Sequence, residues 1–473
     1  MMFLRTNLTA FAFASFVIAS LSHATPGQPG TLDETFGAFG KVTTAIGSGN
    51  DTAQAIAVQP DGKILVAGGC FTGSTYDFCL ARYSPAGILD TSFGAGGIVI
   101  TAIGSNHSNA TALALQPDGK IVITGNCFSI NSDFCLARYN AVGALDATFG
   151  AGGKVITAIG SKDDGAVAVA VQPDGKIVVA GGCLGAINGD FCVARYNAAG
   201  TLDTTFGADG KVITAIGSGT AIPHDLALQA DGKIVVAGHC LGAINNDFCL
   251  ARYDTVGMLD TSFGTGGTVI TAVGGGEDYI WALAVQPDGK IVAGGNCNSS
   301  SSGPDFCLAR YTTVGALDPT FGTGGMVTSS IVGGSSDYVR ALALQPDGKI
   351  VVAGYCSVSK ISFCLARYNP VGALDTTFGT LGKVVSAIGS RDDQALALAL
   401  QPDGKIVVAG ACAIGDNRVF CIARYEGGPF ISAGSVNNVD TLSDVLTVFL
   451  VGLIALTACV VGFDQKTRRG LLN

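Results

Sequence analysis

The chain has 473 residues, among them 68 glycines, with 13% charged residues, a net charge of −9 and a mean hydropathy of +0.45. Low charge with abundant Gly, Ala and Val suits short strands and tight turns and argues against a helical bundle or a disordered tail. The acidic balance argues against nucleic acid or anionic lipid surfaces as partners, because both require basic protein surface.

Residues 1–24 read as a secretory signal. Arg5 supplies the positive start, Leu8 to Leu21 the apolar run, and Ser22-His23-Ala24 a small-x-small cleavage site. An uncleaved anchor is the rival reading, but about 14 apolar residues is short for a span. No lipobox-type cysteine follows the run. Export would place the cysteines in an oxidising compartment.

Residues 25–426 read as one repeat domain. A Gln-Pro-Asp-Gly-Lys signature begins at Gln59, Gln116, Gln172, Gln286, Gln345 and Gln401, with the variant Gln-Ala-Asp-Gly-Lys at Gln229, at spacings of 56 to 59 residues. Such a period signifies a solenoid, a propeller or an array. In the unit Thr201 to Tyr253, a turn-rich connector precedes a strand at "KVITAIG". A variable loop and a second strand ending at "LALQ" follow. "ADGK" is a tight turn that needs a positive φ at Gly232. "KIVVAGHC" and "DFCLARY" are the third and fourth strands, separated by a second variable loop. With no helical period, four antiparallel strands in each of seven units give an all-β, seven-bladed β-propeller, since radial closure protects sheet edges. An elongated β-solenoid is the alternative, though its coils are usually shorter.

The repeat resembles the delta-60 repeat family of exported bacterial proteins. The resemblance is carried by the Leu-Asp-x-x-Phe-Gly connector (Leu202, Asp203, Phe206, Gly207), the Pro-Asp-Gly-Lys turn and the Ala-Arg-Tyr strand end (Ala251, Arg252, Tyr253). It implies a propeller-like domain on an exported protein and no particular activity.

Fourteen of the 15 cysteines fall two per unit: Cys70/Cys79, Cys127/Cys135, Cys183/Cys192, Cys240/Cys249, Cys297/Cys307, Cys356/Cys364 and Cys412/Cys421. The first lies seven residues after the turn lysine and the second three before the arginine of Ala-Arg-Tyr. Directly opposed positions on antiparallel strands are within disulfide range. A zinc site needs four ligands, and a redox site would favour Cys-x-x-Cys, which is absent. The spacing therefore predicts seven intra-unit disulfides. Cys459 is left unpaired.

Beyond a linker at 427–440, residues 441–463 read as one transmembrane helix and 464–473 as a basic cytoplasmic tail. Val445 to Phe463 carries no charge, and Lys466, Arg468 and Arg469 follow it. A buried core helix is the alternative. Val439-Asp440-Thr441-Leu442-Ser443-Asp444 resembles the Ile-Pro-Thr-Leu-Ser motif of bacterial C-terminal sorting signals, with Val439 and Asp440 departing from it. The expected location is the bacterial envelope, anchored by the C-terminus or released or surface-sorted after processing.

Repeated polar residues are assigned to the fold. Asp61, Asp118 and their equivalents suit a tight turn rather than a calcium site. Arg82, Arg138, Arg195, Arg252, Arg310, Arg367 and Arg424 are expected to pair with a connector aspartate, since a residue repeated in every unit serves the unit. Asp51, Asp164, Asp278, Asp337 and Asp393 are expected to cap loops rather than bind metal.

No nucleophile elbow, zinc-protease motif or phosphate loop is present, and no metal or cofactor is expected. Alternating strand direction puts the two variable loops at one end of each blade. His224, His239, Tyr279, Trp281, Tyr338, Arg340 and Tyr355 gather there, in consecutive units, as candidate binding residues exposed on loops. Trp, Tyr and Arg are the types that most often dominate binding energy; loop drift, with Trp281 filling a core gap, is the alternative. The expectation is a monomeric binding or adhesion scaffold, not an enzyme, for a glycan or envelope protein. The alternative is a glycan-acting hydrolase or lyase with its site on one propeller face.

Overall fold

A computed structural model describes residues 27–428, apart from 129, 185–187, 301–302, 334 and 358. The expected signal peptide, most of the linker, the transmembrane helix, the basic tail and Cys459 lie outside the described residues. Within them, seven four-stranded antiparallel sheets form the blades of a propeller. Blade four shows the order from axis to rim: Ala221–Leu228, Ile234–Leu241, Asn246–Tyr253 and Thr268–Thr271. The innermost strands of neighbouring blades pack on one another around the axis.

One expectation about the unit is corrected. The "KVIT" strand is the outermost strand of the preceding blade, not the first of its own: Lys211–Thr214 pairs with Gly189–Tyr196 of blade three. The connector dictates this. In blade four Leu259 bridges Tyr253, Asp260 N–H donates to Arg252 O, and Arg252 N–H donates to Gly267 O. The connector is thus folded back along the third strand and delivers Thr268 beside Ala251. The same shift closes the ring, because Lys41–Thr44 becomes the outer strand of blade seven by pairing with Asn417–Tyr425.

The core lies between blades. One cluster joins Val178, Phe191, Val193 and Phe206 of blade three to Ile234, Val236, Cys249 and Tyr253 of blade four. These are the inward positions of alternating strands, packed sheet on sheet. Each innermost strand carries a register shift near its start, between Ala53 and Ala55 in blade one and between Pro223 and Asp225 in blade four. The second strand answers it with glycine: a Cβ at Gly68 would lie 1.9 Å from Thr52 O, and one at Gly354 1.8 Å from Tyr338 O. Glycine is required there because the bulge presses backbone against backbone.

Each Ala-Arg-Tyr arginine pairs with its own connector aspartate. Arg82 Nε donates to Asp90 at 2.9 Å, and Nη1 donates to Ala141 O of the next blade at 2.6 Å. Its guanidinium lies 4.3 Å from the centroid of Phe93, so one side chain joins strand, connector and neighbour. The Pro-Asp-Gly-Lys aspartates close their turns, with Asp61 accepting from Lys63 N–H at 3.1 Å and Gly62 at φ 81°. Asp51 caps its crossover loop, accepting from Ile46 N–H at 2.8 Å and from Gly47 N–H.

All seven disulfides join the expected partners: Cys70–Cys79, Cys127–Cys135, Cys183–Cys192, Cys240–Cys249, Cys297–Cys307, Cys356–Cys364 and Cys412–Cys421. Their Cα atoms are 5.8 to 5.9 Å apart. The geometry expected for them is corrected, because the paired cysteines are diagonal neighbours and not directly opposed. The residue facing the second cysteine is a glycine in every blade. Cys79 faces Gly68, Cys135 faces Gly125, Cys192 faces Gly181 and Cys249 faces Gly238. Likewise Cys307 faces Gly295, Cys364 faces Gly354 and Cys421 faces Gly410. These are the glycines that the bulge of the innermost strand demands, so the first cysteine is displaced two residues along its strand.

Candidate binding site

At each bulge the strand's alternation fails and one side chain turns toward the axis. Gln54, Thr111, Val167, His224, Trp281, Arg340 and Leu396 occupy this position, one per blade, and line a central channel of about 250 Å³. The bulge sits near the start of the innermost strand, whose first residue pairs with a disulfide cysteine (Ala221 with Cys240). The ring of bulged side chains is therefore nearer the disulfide-bearing end. Blades one, two, three and seven contribute Gln, Thr, Val and Leu, whereas consecutive blades four, five and six contribute His, Trp and Arg.

From these three residues a continuous cluster spreads through adjoining blades. The His224 and Trp281 rings are 4.0 Å apart, and the Arg340 guanidinium lies 3.7 Å from the Trp281 centroid. Trp281 is thus flanked by one neighbour from blade four and one from blade six. His224 Nε2 and His239 Nδ1 share a 3.0 Å hydrogen bond. His239 meets Tyr279 edge-on at 4.5 Å, and Tyr279 donates its hydroxyl to Glu277 at 3.0 Å. On the other side Arg340 Nη2 donates to the Tyr355 hydroxyl at 3.0 Å, and Tyr355 stacks on Tyr338 at 5.0 Å.

All seven sequence-chosen residues therefore adjoin one another, but their setting differs from the expectation. They stand on the first and second strands, not on the variable loops, and none is exposed. His239 and Tyr355 are buried and the rest half-buried. The reason is the bulge, which brings strand residues into the channel that simple alternation would assign to a blade face.

Sequence reasoning missed Asp225, which also lines the channel. Six blades have alanine at its position: Ala55, Ala112, Ala168, Ala282, Ala341 and Ala397. Aligning the units column by column would have exposed it. Asp225 accepts from Leu226 N–H and from Leu283 N–H of blade five, each at 2.8 Å, and burial pushes its carboxyl up to about 7. Burial, then the charges of His239 and Arg340, push the His224 imidazole down to about 3. Burial holds His239 at about 4 against the pull of Glu277. Both imidazoles are neutral at neutral pH, which suits a hydrogen bond in which one ring donates and the other accepts.

A larger groove of about 820 Å³ lies between blades four and five at the opposite end. Turn and connector residues common to the units line it, among them Asp231, Lys233, Arg252 and Asp288. The channel, by contrast, is lined at the bulge by a residue that differs from unit to unit.

The family described as "Domain of unknown function (DUF5122) beta-propeller" matches residues 59–93, 116–149, 172–206, 229–263, 286–321, 345–378 and 401–427. Among solved structures, the chain is similar to a polysaccharide lyase, Uly1, at 12% identity and a TM-score of 0.47, covering 84% of this chain and 93% of that one. It is similar to an inactive virginiamycin B lyase from Staphylococcus aureus with quinupristin at 10% identity and a TM-score of 0.45, covering 81% and 98%. Drosophila Plexin A in complex with Semaphorin 1b matches at 10% identity and a TM-score of 0.43, covering 84% and 88%. No curated protein matches the chain.

Proposed function

The chain carries a DUF5122 β-propeller match in each of its seven blades, and from that premise we propose an exported binding module. Its partner is a glycan or an envelope protein, taken at the disulfide-bearing mouth of the channel without turnover. One observation carries the reading: the units keep their turns, connectors and core, whereas the channel position differs in every unit and is His224, Trp281 and Arg340, in mutual contact, in three consecutive blades. A scaffold role alone gives no reason to set an imidazole, an indole and a guanidinium in contact there. Proximity of Trp, Tyr and Arg within one partly desolvated cluster is the usual composition of a binding hot spot.

Orientation supports the same reading. The described chain leaves the ring at Gly428, where Arg367 donates to Gly427 O and Gly427 abuts the Pro-Asp-Gly-Lys turn at Gly404. An anchor formed by the apolar run after Val445 would attach beyond that end, on the side of the ring away from the disulfides. The seven disulfides suit an extracellular setting.

The test uses protein truncated before Val439, expected in the soluble exported fraction with its melt intact, on a glycan array and in pull-downs from envelope extracts. Arg340→Met is expected to remove most of the captured ligand. Capture that survives both Arg340→Met and His224→Ala would refute the placement. A second reading, glycan cleavage, has one observation in its favour: an imidazole pair, a tyrosine hydroxyl and a carboxylate, His224–His239 and Tyr279–Glu277, lie side by side and are groups able to serve acid-base chemistry. Shortened products after incubation with the captured glycan would favour it over binding alone.

A further inference from the structure

Seven arginines of the ring sit within 2.9 Å of a connector aspartate. Arg340 differs. Among the described residues no carboxylate stands within ion-pair distance of it, and its Nε is buried without a hydrogen-bond partner. Removing a guanidinium from water without a counter-charge is unfavourable, so the fold holds this group ready for an anion. Trp281 at 3.7 Å and Tyr355 at 5.5 Å fix its plane by cation–π contact, and the Tyr355 hydroxyl occupies Nη2. The remaining Nη hydrogens offer a planar, two-pronged donor set, the geometry that matches a carboxylate. The imidazoles beside it are neutral and offer no competing positive charge.

Elsewhere on the channel wall the chemistry reverses. Asp225 retains acceptor lone pairs beyond its two backbone bonds. Thr111 Oγ1 donates to Ala166 O at 2.8 Å and so presents its own lone pairs, and Gln54 adds an amide. A ligand that fits must offer an anionic group to Arg340 and hydroxyl donors to these acceptors. A volume of about 250 Å³ lies just below the roughly 300–1,000 Å³ of ordinary small-molecule sites, which favours a single ring or a chain end over a folded partner. Resting on the reading of the channel as a binding site, we infer that its ligand is a sugar acid, either free or terminating a glycan. Its carboxylate pairs with Arg340 and its hydroxyls face Asp225, Thr111 and Gln54.

Trp281 is the sole tryptophan of the chain, so its emission reports this site alone. Full-length protein in mild detergent is titrated with digalacturonate and, separately, with neutral digalactose. The expected result is a saturable change in emission with the acid and none with the neutral sugar. Arg340→Met should weaken acid binding at least tenfold, as loss of a charge-assisted pair implies. Arg340→Lys, which keeps the charge without the fork, should fall between. If the Met variant melts early, the comparison of wild type with Arg340→Lys carries the test. Equal responses to both sugars, or unaltered acid affinity in the variants, would overturn the acid assignment while leaving the channel as a binding site. Silence toward every sugar overturns the inference; if Arg340→Met and His224→Ala also capture envelope material normally, the binding site itself falls.

Discussion

Asp225 and its histidine neighbours respond to pH with opposite sign. Burial raises the Asp225 carboxyl from 3.8 to about 7. The stability linked to its proton is fully present below 3.8 and is lost as pH rises through 7. Burial lowers both imidazoles from 6.5, so their contribution is present above that value and is lost as pH falls toward 4 and 3. Asp225→Ala restores the alanine of the other six blades and removes only the first of these terms. The expected outcome is a gain on the order of 1–3 kcal/mol at pH 8, discounted for partial solvent screening, and little change at pH 5. Thermal melts of wild type and variant at the two pH values check this; an equal shift at both would mean that Asp225 stays ionised throughout. Trp281 also changes meaning at this scale. Flanked by His224 and Arg340, it positions the guanidinium, so Trp281→Ala would disturb packing together with binding and is a poorer probe than Arg340→Met.

The recurring element of the molecule is a hairpin stapled near its variable loop, followed by a connector bolted to its third strand. The staple and the bolt sit at opposite ends, which leaves the variable loop free to differ between blades while the strands on either side stay in register. Opening one staple by Cys183→Ser with Cys192→Ser is expected to lower stability by about 2.5 kcal/mol, the chain-entropy value for a loop of about ten residues. Denaturant titration measures it, and peptide mapping without reductant should show seven links, each within one hairpin. Links between hairpins would contradict the register of every blade. At the other end, the connector aspartates Asp90, Asp203 and Asp260 are held well below the usual carboxylate range. Hydrogen bonds from the following Ser or Thr and from lysine, with the arginine charge, outweigh the burial that opposes them. Their contribution is present above 3.8 and is lost only in stronger acid.

Closure belongs to the whole molecule. The outer strand of blade seven comes from the other end of the described chain, so Lys41–Thr44 on Asn417–Tyr425 holds the ring shut. Arg424 adds to the seam by donating to Asp33, and Lys405 donates to Asp33 at 2.6 Å. Deleting residues 25–44 would expose the edge of Asn417–Tyr425 and leave Arg424 without its carboxylate. The expected result is a marked fall in melting temperature with concentration-dependent association, since an unpaired edge recruits other edges. Calorimetry and light scattering test it, and an unchanged, monodisperse ring would show that six complete blades and one three-stranded blade suffice.

The unit length, the strand and turn order, the cysteine partners and the roles of the repeated Asp and Arg were legible in the sequence, because each rests on short-range spacing repeated seven times over. A period of two, a Gly at positive φ and a cysteine fixed to its strand are local properties, and repetition lifts them above noise. Residues such as His224, Trp281 and Arg340 could likewise be singled out as breaks in the pattern. The sequence left undecided which strand lies innermost, and assigned "KVIT" to the wrong blade, because the pairing of Thr268–Thr271 depends on how the connector folds back. It also set the paired cysteines face to face, where the structure sets Cys135, Cys307, Cys364 and Cys421, like the other three, opposite a glycine. Nor did it place the candidate residues in the channel or include Asp225 among them. That placement follows from one bulge per innermost strand, whose geometry is set by cross-strand contact with a glycine of the next strand. Only tertiary packing brings those bulges to a common axis, where side chains 56 to 59 residues apart in the chain become neighbours.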